Sequence, residues 1–487
     1  MMMNGKQYVE SIKKMRPNIY KFGKLIQDVT TDPNTALHIK SVARSYDASF
    51  DPDRAPIYTA KSSLTGEIAH RWNTFMGDAA AQVGNAKMKR DQYHQTGTCQ
   101  GATCAGWTAL NTLWDATFEC DKELGTQYHE RVKNFMRFCE DNALALAGAL
   151  TDAKGDRSKK ASQQANPDVT LHVKEVKPDG IIVSGYKIQI CGVAACHYIV
   201  AMPGTGYGEV DKDFAVAFAV PRDEKGITIV ECRGISDTRA AEEGYDMPHA
   251  GNITQAYIHF DNVFIPNERV FMCGEFKYSG RNIGNFASIY RAAIGHCVAG
   301  QGDVMIGAAM GMARANGLSV KPFQATLNQM AINNEITAGV GLGAMMLGKT
   351  MKSGLFVPDA LLAHVNKTQV ATLPYQTKVM AQDISGGIAE TGCMPSWMDM
   401  QTEYGAFIKE ALTAGADGES RAKLARLVEW LTVGGGIPGC MHGGGSPDGA
   451  KMVVKALTKW EDYFEMAKKI MDIPTDAVKE PEAPVKK

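Results

Sequence analysis

Three cysteines in two distant parts of the chain are the residues that most clearly suggest chemistry. Cys99 and Cys104 lie in the segment TGTCQGATCAGW, and Cys297 lies much later, in YRAAIGHCVAGQGD. Thiolates are the principal ligands of iron–sulfur clusters. Since the ligands of one cluster must converge, these cysteines predict two helical stretches that meet at a metal centre. The alternative, three cysteines that only pack in the core, stays open at this stage.

The spacing of these residues sets conditions on the centre. Five residues of an unbroken α-helix turn through about 500°, so Cys99 and Cys104 would point about 140° apart. A bulge or distortion at Gly101 would correct this. His296 is a further candidate ligand, but it adjoins Cys297, and adjacent helical side chains point about 100° apart. His296 can therefore serve only if the local geometry differs.

Three regions with different residue patterns must position these side chains. Region 1–149 has apolar residues three and four apart, which predicts a helical domain. Region 150–275 alternates and is rich in β-branched residues, which predicts a central β-barrel domain. Region 276–475 is expected to be a helical bundle, because its many small residues let helices approach closely. Region 476–487 is charged and contains proline, which predicts a disordered tail.

Composition excludes several classes of protein. The 487 residues include 52 Lys and Arg against 53 Asp and Glu, and a net charge of −1 gives no general attraction to nucleic acid or to an anionic membrane. The apolar runs are too short to span a bilayer, and the amino terminus lacks the apolar core of a signal peptide. We expect a cytoplasmic protein that binds neither nucleic acid nor membrane, with its eleven cysteines reduced.

Five strings of residues carry a resemblance to a known family. They are LTDAKGDRS (150–158), DTRAAEEG (237–244), FDNVFIPNERVF (260–271), AQDISGG (381–387) and MHGGGSP (441–447). With these strings the chain resembles the 4-hydroxybutyryl-CoA dehydratase branch of the 4-hydroxyphenylacetate 3-hydroxylase family. The resemblance implies an α+β, acyl-CoA dehydrogenase-like fold. It also implies a small-molecule substrate, which could be a CoA thioester, and a homotetramer.

The resemblance further implies FAD, bound between the β domain and the carboxy-terminal bundle and completed by a neighbouring subunit. The residues expected to contact FAD are Thr151, Asp152, Lys154, Gly155, Asp156, Arg157, Gln189, Cys191, Asp383, Gly386 and Gly387. Lys and Arg side chains pair with phosphate oxygens, and glycine lets the backbone approach a cofactor. Cys191 stands where the family has a flavin-contacting threonine. A thiol is a weaker hydrogen-bond donor, so the flavin would be tuned differently.

The metal ligands follow from the same resemblance. In the dehydratases a 4Fe–4S cluster is held by two cysteines on one helix, and by a histidine and a third cysteine on another. Cys99, Cys104 and Cys297 match these cysteines, although the first pair here has four intervening residues instead of three. Tyr290 occupies the place of the histidine. The implied metal ligands are therefore the three cysteines, with His296 as the candidate fourth.

The acid and base residues of the dehydratases are changed in this chain. Their glutamate base becomes Gln255, and a tyrosine, a lysine and a second glutamate become Ile294, Val298 and Gly439. Gln255 cannot remove a proton as a base. The candidate catalytic residues are Cys191, Gln255, Tyr290, His296 and His442, and His249 and Cys440 are further candidates.

Three functions remain open from the sequence. The first is an FAD- and iron–sulfur-dependent lyase or isomerase that acts on an acyl-CoA or related activated acid. The second is a two-component, FAD-dependent monooxygenase that hydroxylates a phenol. The third is a flavin-fold scaffold without activity. The cysteines favour the first, because the monooxygenases do not need them. Iron and flavin content would separate the three.

Overall fold

Helical regions precede and follow a central region of strands in the computed structural model. The structure describes residues 2–153, 155–233, 247–251, 253, 255–433, 443–474 and 477–478. Predictions for Lys154, for Gly439, Cys440 and His442, for the string at 237–244 and for most of the tail therefore lie outside the described residues. The described elements form a mixed α+β fold, as the sequence predicts.

The amino-terminal region is mainly helical. Its elements are α1 (Gly5–Lys13), β1 (Ile19–Lys21), β2 (Lys24–Ile26), α2 (Ala36–Ala48), α3 (Ala55–Tyr58), β3 (Thr59–Lys61), β4 (Ile68–His70), α4 (Ala79–Thr96), α5 (Ala105–Leu124) and α6 (Tyr128–Asp141). The Asp78 side chain caps the start of α4 by accepting a hydrogen bond from the Ala81 backbone N–H. Gly97 ends the helix with a left-handed φ of 70°.

The central region forms two sheets that share one core. Its strands are β5 (Leu146–Ala149), β6 (His172–Lys177), β7 (Gly180–Cys191), β8 (Tyr198–Ala201), β9 (Val216–Pro221), β10 (Ile227–Glu231), β11 (Gln255–Pro266) and β12 (Val270–Cys273). One sheet has the order β2-β1-β10-β11-β7-β6, and the other has the order β12-β9-β8-β5. The rings of Phe218 and Phe260 meet edge to face at 5.8 Å between the sheets. Strands β1 and β2, which come from the amino-terminal region, belong to the larger sheet.

The carboxy-terminal region is a bundle arranged around one long helix, α7. Its elements are α7 (Ser279–Ala315), α8 (Gln324–Met346), β13 (Lys349–Thr350), β14 (Phe356–Val357), α9 (Ala360–Val370), α10 (Leu373–Ser385), α11 (Gly387–Glu390), α12 (Gly405–Leu412), α13 (Gly418–Thr432), α14 (Pro447–Leu457) and α15 (Trp460–Ile470). Glycines bring α7 against its neighbours. A Cβ atom at Gly300 would lie 2.5 Å from the Arg90 carbonyl oxygen on α4. A Cβ atom at Gly295 would lie 2.1 Å from the Thr337 carbonyl oxygen on α8.

The last two helices leave a large apolar face exposed. Only Ala450 in α14 and Lys468 in α15 are buried. The exposed apolar side chains of this face, which we call the α14–α15 face, are Met452, Leu457, Trp460, Tyr463, Phe464, Met466 and Ile470. Exposed apolar side chains in this number are typical of a protein interface. Among the described residues, no helix has both the length and the apolar character that crossing a bilayer requires.

Candidate functional site

Cys99 and Cys104 lie in a loop between two helices. α4 ends at Thr96, and Cys104 is the residue that precedes α5. Between the cysteines, Gly101 has a left-handed φ of 70°. The predicted distortion is therefore a complete interruption of the helix, and the separation of about 140° expected for an unbroken helix does not apply.

This loop packs directly on the end of strand β7. A Cβ atom at Gly101 would lie 2.8 Å from the Gly192 Cα, and one at Gly192 would lie 2.5 Å from the Ala102 backbone nitrogen. Gly192 also has a left-handed φ, of 75°. The two backbones can approach this closely only because both positions lack side chains. The contact brings Cys191, the last residue of β7, to the cysteine loop.

The third cysteine reaches the same place from helix α7. α7 packs against α4, and the Gln301 side-chain amide donates a 2.8 Å hydrogen bond to the Gly97 carbonyl at the start of the loop. Cys297 lies one helical turn before Gln301 on α7. Helix α7 is therefore hydrogen-bonded to the loop that carries Cys99 and Cys104.

The ionisation of the thiols shows that they share one environment. Burial raises the pKa of Cys99 to about 11, with a further contribution from Cys104, while Lys89 opposes the shift. Burial also raises the pKa of Cys297, again opposed by Lys89, and the Cys104 and Cys99 thiols raise it further. Burial raises the pKa of Tyr93 on α4, and the Cys99 and Cys297 thiols raise it further. The structure thus brings together the cysteines that the sequence separates.

The cysteines of this site differ from those that pack in the core. Cys139 and Cys196 have no accessible surface. The cysteines at the site that keep some accessible surface are Cys99, Cys104, Cys191 and Cys297. Burial is nevertheless the main cause of the raised pKa of Cys99, Cys191 and Cys297. These four residues thus combine a deep position with some accessible surface, unlike the two core cysteines.

The arrangement suits a cluster better than a single ion. Within the described ranges, no group of three His, Cys, Asp or Glu side chains converges closely enough to hold one metal ion. A single ion draws thiolates to about 2.3 Å. An iron–sulfur cluster is a larger body, so its thiolates stand farther apart around it. Three thiols that share one environment without converging on a single ion fit the donor set of such a cluster.

A buried cation accompanies the thiols. Lys89 on α4 is 2% exposed and interacts electrostatically with the thiols of Cys104, Cys297 and Cys99. Burial acts to lower the pKa of Lys89, but the neighbouring thiols outweigh it and the pKa lies above its ordinary value. The sequence analysis missed both Lys89 and Tyr93. Their spacing of four residues, which places them on one face of a helix, was the available signal.

Tyr290 on α7 faces the same group of sulfur atoms. Burial raises the pKa of its phenol well above the usual value, and nearby thiols raise it further. Those thiols belong to Cys104, Cys191, Cys99 and Cys297. The Tyr290 ring stacks on Phe286 at 5.4 Å, and a Cβ atom at Gly444 would lie 3.0 Å from the ring. The string at 441–447 therefore reaches the site through Gly444.

Two other predicted catalytic residues, Gln255 and His296, lie in the described part of the chain. Gln255 is paired with Cys191 in the register of β11 and β7, so it lies beside the cysteines. His296 is buried, and burial lowers its pKa to about 4, with further lowering by Arg90 and Lys89. Its Nδ1 atom has no hydrogen-bond partner in the described part of the chain. His296 as a cluster ligand stays a prediction.

The first segment predicted to contact flavin folds against β7. The Asp152 carboxylate forms a 2.6 Å ion pair with Lys187, which is buried, and it accepts a 3.2 Å hydrogen bond from the Tyr207 hydroxyl. The Asp156 carboxylate accepts a 2.7 Å hydrogen bond from the Ser158 hydroxyl. Thr151, Gly155 and Arg157 lie in the same segment, with Gly155 at a φ of 53°.

Gln189 occupies a strained position two residues before Cys191. It is exposed and has a φ of 56°, which is uncommon for a residue other than glycine. The register between β7 and β11 shifts at this point, which marks a β-bulge. Bulges of this kind often redirect side chains next to active sites.

The second segment predicted to contact flavin lies at the end of α10. Asp383 is exposed, and a Cβ atom at Gly386 or Gly387 would meet nothing within 4 Å. The Ser385 carbonyl at this helix end accepts a 3.2 Å hydrogen bond from Asn316, which follows α7. The two segments thus contact different parts of the chain.

Comparisons with known proteins identify the family. Residues 4–272 match the model of the 4-hydroxyphenylacetate 3-hydroxylase amino-terminal region, and residues 280–472 match that of its carboxy-terminal region. The chain is 33% identical to a 4-hydroxybutyryl-CoA dehydratase/vinylacetyl-CoA-Δ-isomerase of Clostridium aminobutyricum, over 97% of this chain and 100% of the relative. The chain belongs to the 4-hydroxyphenylacetate 3-hydroxylase family.

Solved structures agree with this assignment. An oxygen-tolerant archaeal 4-hydroxybutyryl-CoA dehydratase from N. maritimus superposes with a TM-score of 0.94 at 34% identity, covering 99% of this chain and 97% of that one. An oxygenase component of 4-hydroxyphenylacetate 3-monooxygenase, solved with FAD, shares the fold with a TM-score of 0.83 at 20% identity, over 96% and 98% of the two chains. The predicted α+β fold and the prediction of a dehydratase-like enzyme are confirmed.

Proposed function

We propose that this protein is an FAD- and iron–sulfur-dependent lyase or isomerase that acts on an acyl-CoA or a related activated acid. The observation that carries the proposal is the meeting of three partly accessible thiols at one deep site, together with a buried lysine. Thiols that only filled the core would need no cation. The similarity to 4-hydroxybutyryl-CoA dehydratases along the whole chain supports the same reaction class.

Cys99, Cys104 and Cys297 are the proposed ligands of a 4Fe–4S cluster. Three protein thiolates leave one iron with an open position, and an open position on a metal is where a substrate oxygen can bind. The cluster would act there as a Lewis acid toward a hydroxyl or carbonyl oxygen. In this proposal, the chain holds the thiolates around the cluster and excludes bulk water.

FAD is the second proposed cofactor, and it would supply one-electron chemistry beside the cluster. Its proposed contacts include Arg157 toward phosphate and Cys191 and Gln189 toward the ring. Cys191 lies next to the cysteine loop through the Gly101–Gly192 contact. A flavin ring near Cys191 would therefore stand close to the cluster, as a reaction that uses both cofactors needs.

Tyr290 is the proposed hydrogen-bond donor of the site. Its raised pKa keeps the phenol neutral, so its hydroxyl can donate a hydrogen bond to a substrate oxygen. Gln255 is proposed to hold substrate by hydrogen bonding, because an amide cannot take a proton as a carboxylate does. Because glutamine replaces the glutamate of the dehydratases at this position, the proposed substrate class is broader than 4-hydroxybutyryl-CoA.

A homotetramer in the cytoplasm, with the domain division given above, completes the proposal. The α14–α15 face supports association between subunits, because it exposes large apolar side chains. The separation of the two predicted flavin segments within one chain supports a flavin site that a neighbouring subunit completes.

Cofactor analysis of protein purified without oxygen tests the proposal. We expect about four iron, about four sulfide and one FAD per subunit, together with an electron paramagnetic resonance signal after reduction. The alternative function predicts a different result: FAD without iron, and hydroxylation of a phenol when reduced flavin and oxygen are supplied. That outcome would replace the lyase with the monooxygenase. Protein without iron, flavin or turnover would leave the inactive scaffold.

A further inference from the structure

Lys89 is a buried cation whose neighbours are thiols and an aromatic ring. Its side chain is 2% exposed, and its Nζ lies 5.9 Å from the centroid of the Tyr290 ring. Within the described ranges of the chain, no Asp or Glu forms an ion pair with Lys89. The electrostatic partners of Lys89 are instead the thiols of Cys104, Cys297 and Cys99. A charge removed from water needs a compensating partner, because unpaired burial is costly.

Arg90, the next residue on the same helix, has an environment that differs from that of Lys89. Arg90 forms ion pairs with Asp303 at 2.7 Å and with Glu335 at 2.6 Å. The carboxylates near this part of α4 are thus engaged by Arg90 on one side of the helix. Lys89 faces the other side, where the groups able to carry negative charge are Cys99, Cys104 and Cys297.

We infer that Lys89 is a positioning residue that compensates the negative charge of the cysteine centre and favours its reduced state. The inference rests on the proposed function, since it assigns the thiolates to a cluster. Three thiolates around a cluster concentrate negative charge at a site with little water. A fixed positive charge that interacts with the thiolates stabilises their negative charge. The same positive charge stabilises the reduced cluster, which carries one more electron, by a larger amount than the oxidised cluster. It therefore raises the reduction potential of the cluster.

Two variants at this position and one control test the inference in the anaerobic holoenzyme. Lys89→Gln keeps a polar side chain without charge, and Lys89→Arg keeps the charge. Lys87→Gln removes a lysine from the exposed side of the same helix and is the matched control. The measurements are iron per subunit, the reduction potential of the centre by redox titration with electron paramagnetic resonance, and the thermal midpoint as a check of folding.

The expected result is a shift of the potential to a more negative value in Lys89→Gln, with Lys89→Arg and Lys87→Gln close to the wild type. If Lys89→Gln loads no iron, full iron in Lys89→Arg still supports a requirement for charge. Equal iron and equal potential in Lys89→Gln and the wild type would overturn the inference and leave the proposed function intact. Equal loss of iron in Lys89→Gln and Lys89→Arg would assign the side chain to packing and overturn it too. Wild-type protein without iron would remove both proposals.

Discussion

The cysteine centre and the proposed flavin site differ in how completely one chain assembles them. At the cysteine centre, a loop, a strand end and two helices of the same chain bring their side chains into one environment. The proposed flavin segments at 151–157 and 383–387 contact β7 and the end of α7 respectively. The difference supports the proposal that one subunit assembles the cysteine centre, whereas the proposed flavin site would need a neighbouring subunit.

The physical basis of this difference is the kind of contact that builds each region. Backbone contacts through Gly101, Gly192 and Gly300 pull the elements of the cysteine centre together. Around Gly386 and Gly387 the space is open within 4 Å. A region held by close backbone approach tolerates little change, and an open glycine segment is free to receive a partner.

The largest expected effect is the loss of iron in Cys297→Ala. The substitution removes the ligand contributed by α7, while the fold should be retained and FAD should stay bound through the segments at 151–157 and 383–387. Iron, sulfide and FAD per subunit measure the result. Cys393→Ala, which removes an exposed cysteine, is the control and should change none of them. Unchanged iron in Cys297→Ala would contradict the ligand assignment and the comparison built on it.

A smaller effect is expected from Gly192→Ala, which opposes the close approach of β7 to the cysteine loop. The left-handed backbone alone costs about 1–2 kcal/mol in an alanine, and the new Cβ atom would lie 2.5 Å from the Ala102 backbone nitrogen. We expect a lower thermal midpoint and reduced iron. Gly208→Ala is the control, because nothing lies within 4 Å of its Cβ position and its φ is −98°. Normal iron and stability in Gly192→Ala would show that the centre does not need this contact.

The smallest effect is expected from a change to the α14–α15 face. The double substitution Met466→Glu and Ile470→Lys replaces two exposed apolar side chains of α15 and introduces a favourable pair one turn apart. Light scattering should report smaller assemblies, with weaker retention of FAD and unchanged iron. Lys469→Gln, also exposed on α15, should leave assembly and FAD as they are. Loss of iron together with FAD would contradict the separation of the two sites.

Several features of the site were predictable from residue types. Thiolates are chemically distinctive, so Cys99, Cys104 and Cys297 could be singled out without knowledge of the fold, and the structure brings them together. The need for a distortion at Gly101 followed from helix geometry. Its form did not, because a left-handed glycine that interrupts a helix is selected by the backbone that packs against it, here at Gly192.

Other features depended on contacts between residues far apart in the chain. Lys89 appeared as one of several charged residues in α4, and only the packing of α7 shows that it faces thiols while Arg90 faces carboxylates. The ion pair of Asp152 with the buried Lys187 joins a loop to a strand. The joining of β1 and β2 to the central sheet is equally long-range. No local sequence pattern predicts contacts between residues so far apart in the chain.

By itself, the sequence determined the order of helical and strand regions and the set of side chains able to bind iron. Hydrophobic periodicity and ligand chemistry are properties of short segments, so they can be recognised without a fold. The tertiary structure alone decided which of these side chains lie in one environment and which cation lies beside them. Those properties come from the packing of distant elements, and packing depends on the whole chain.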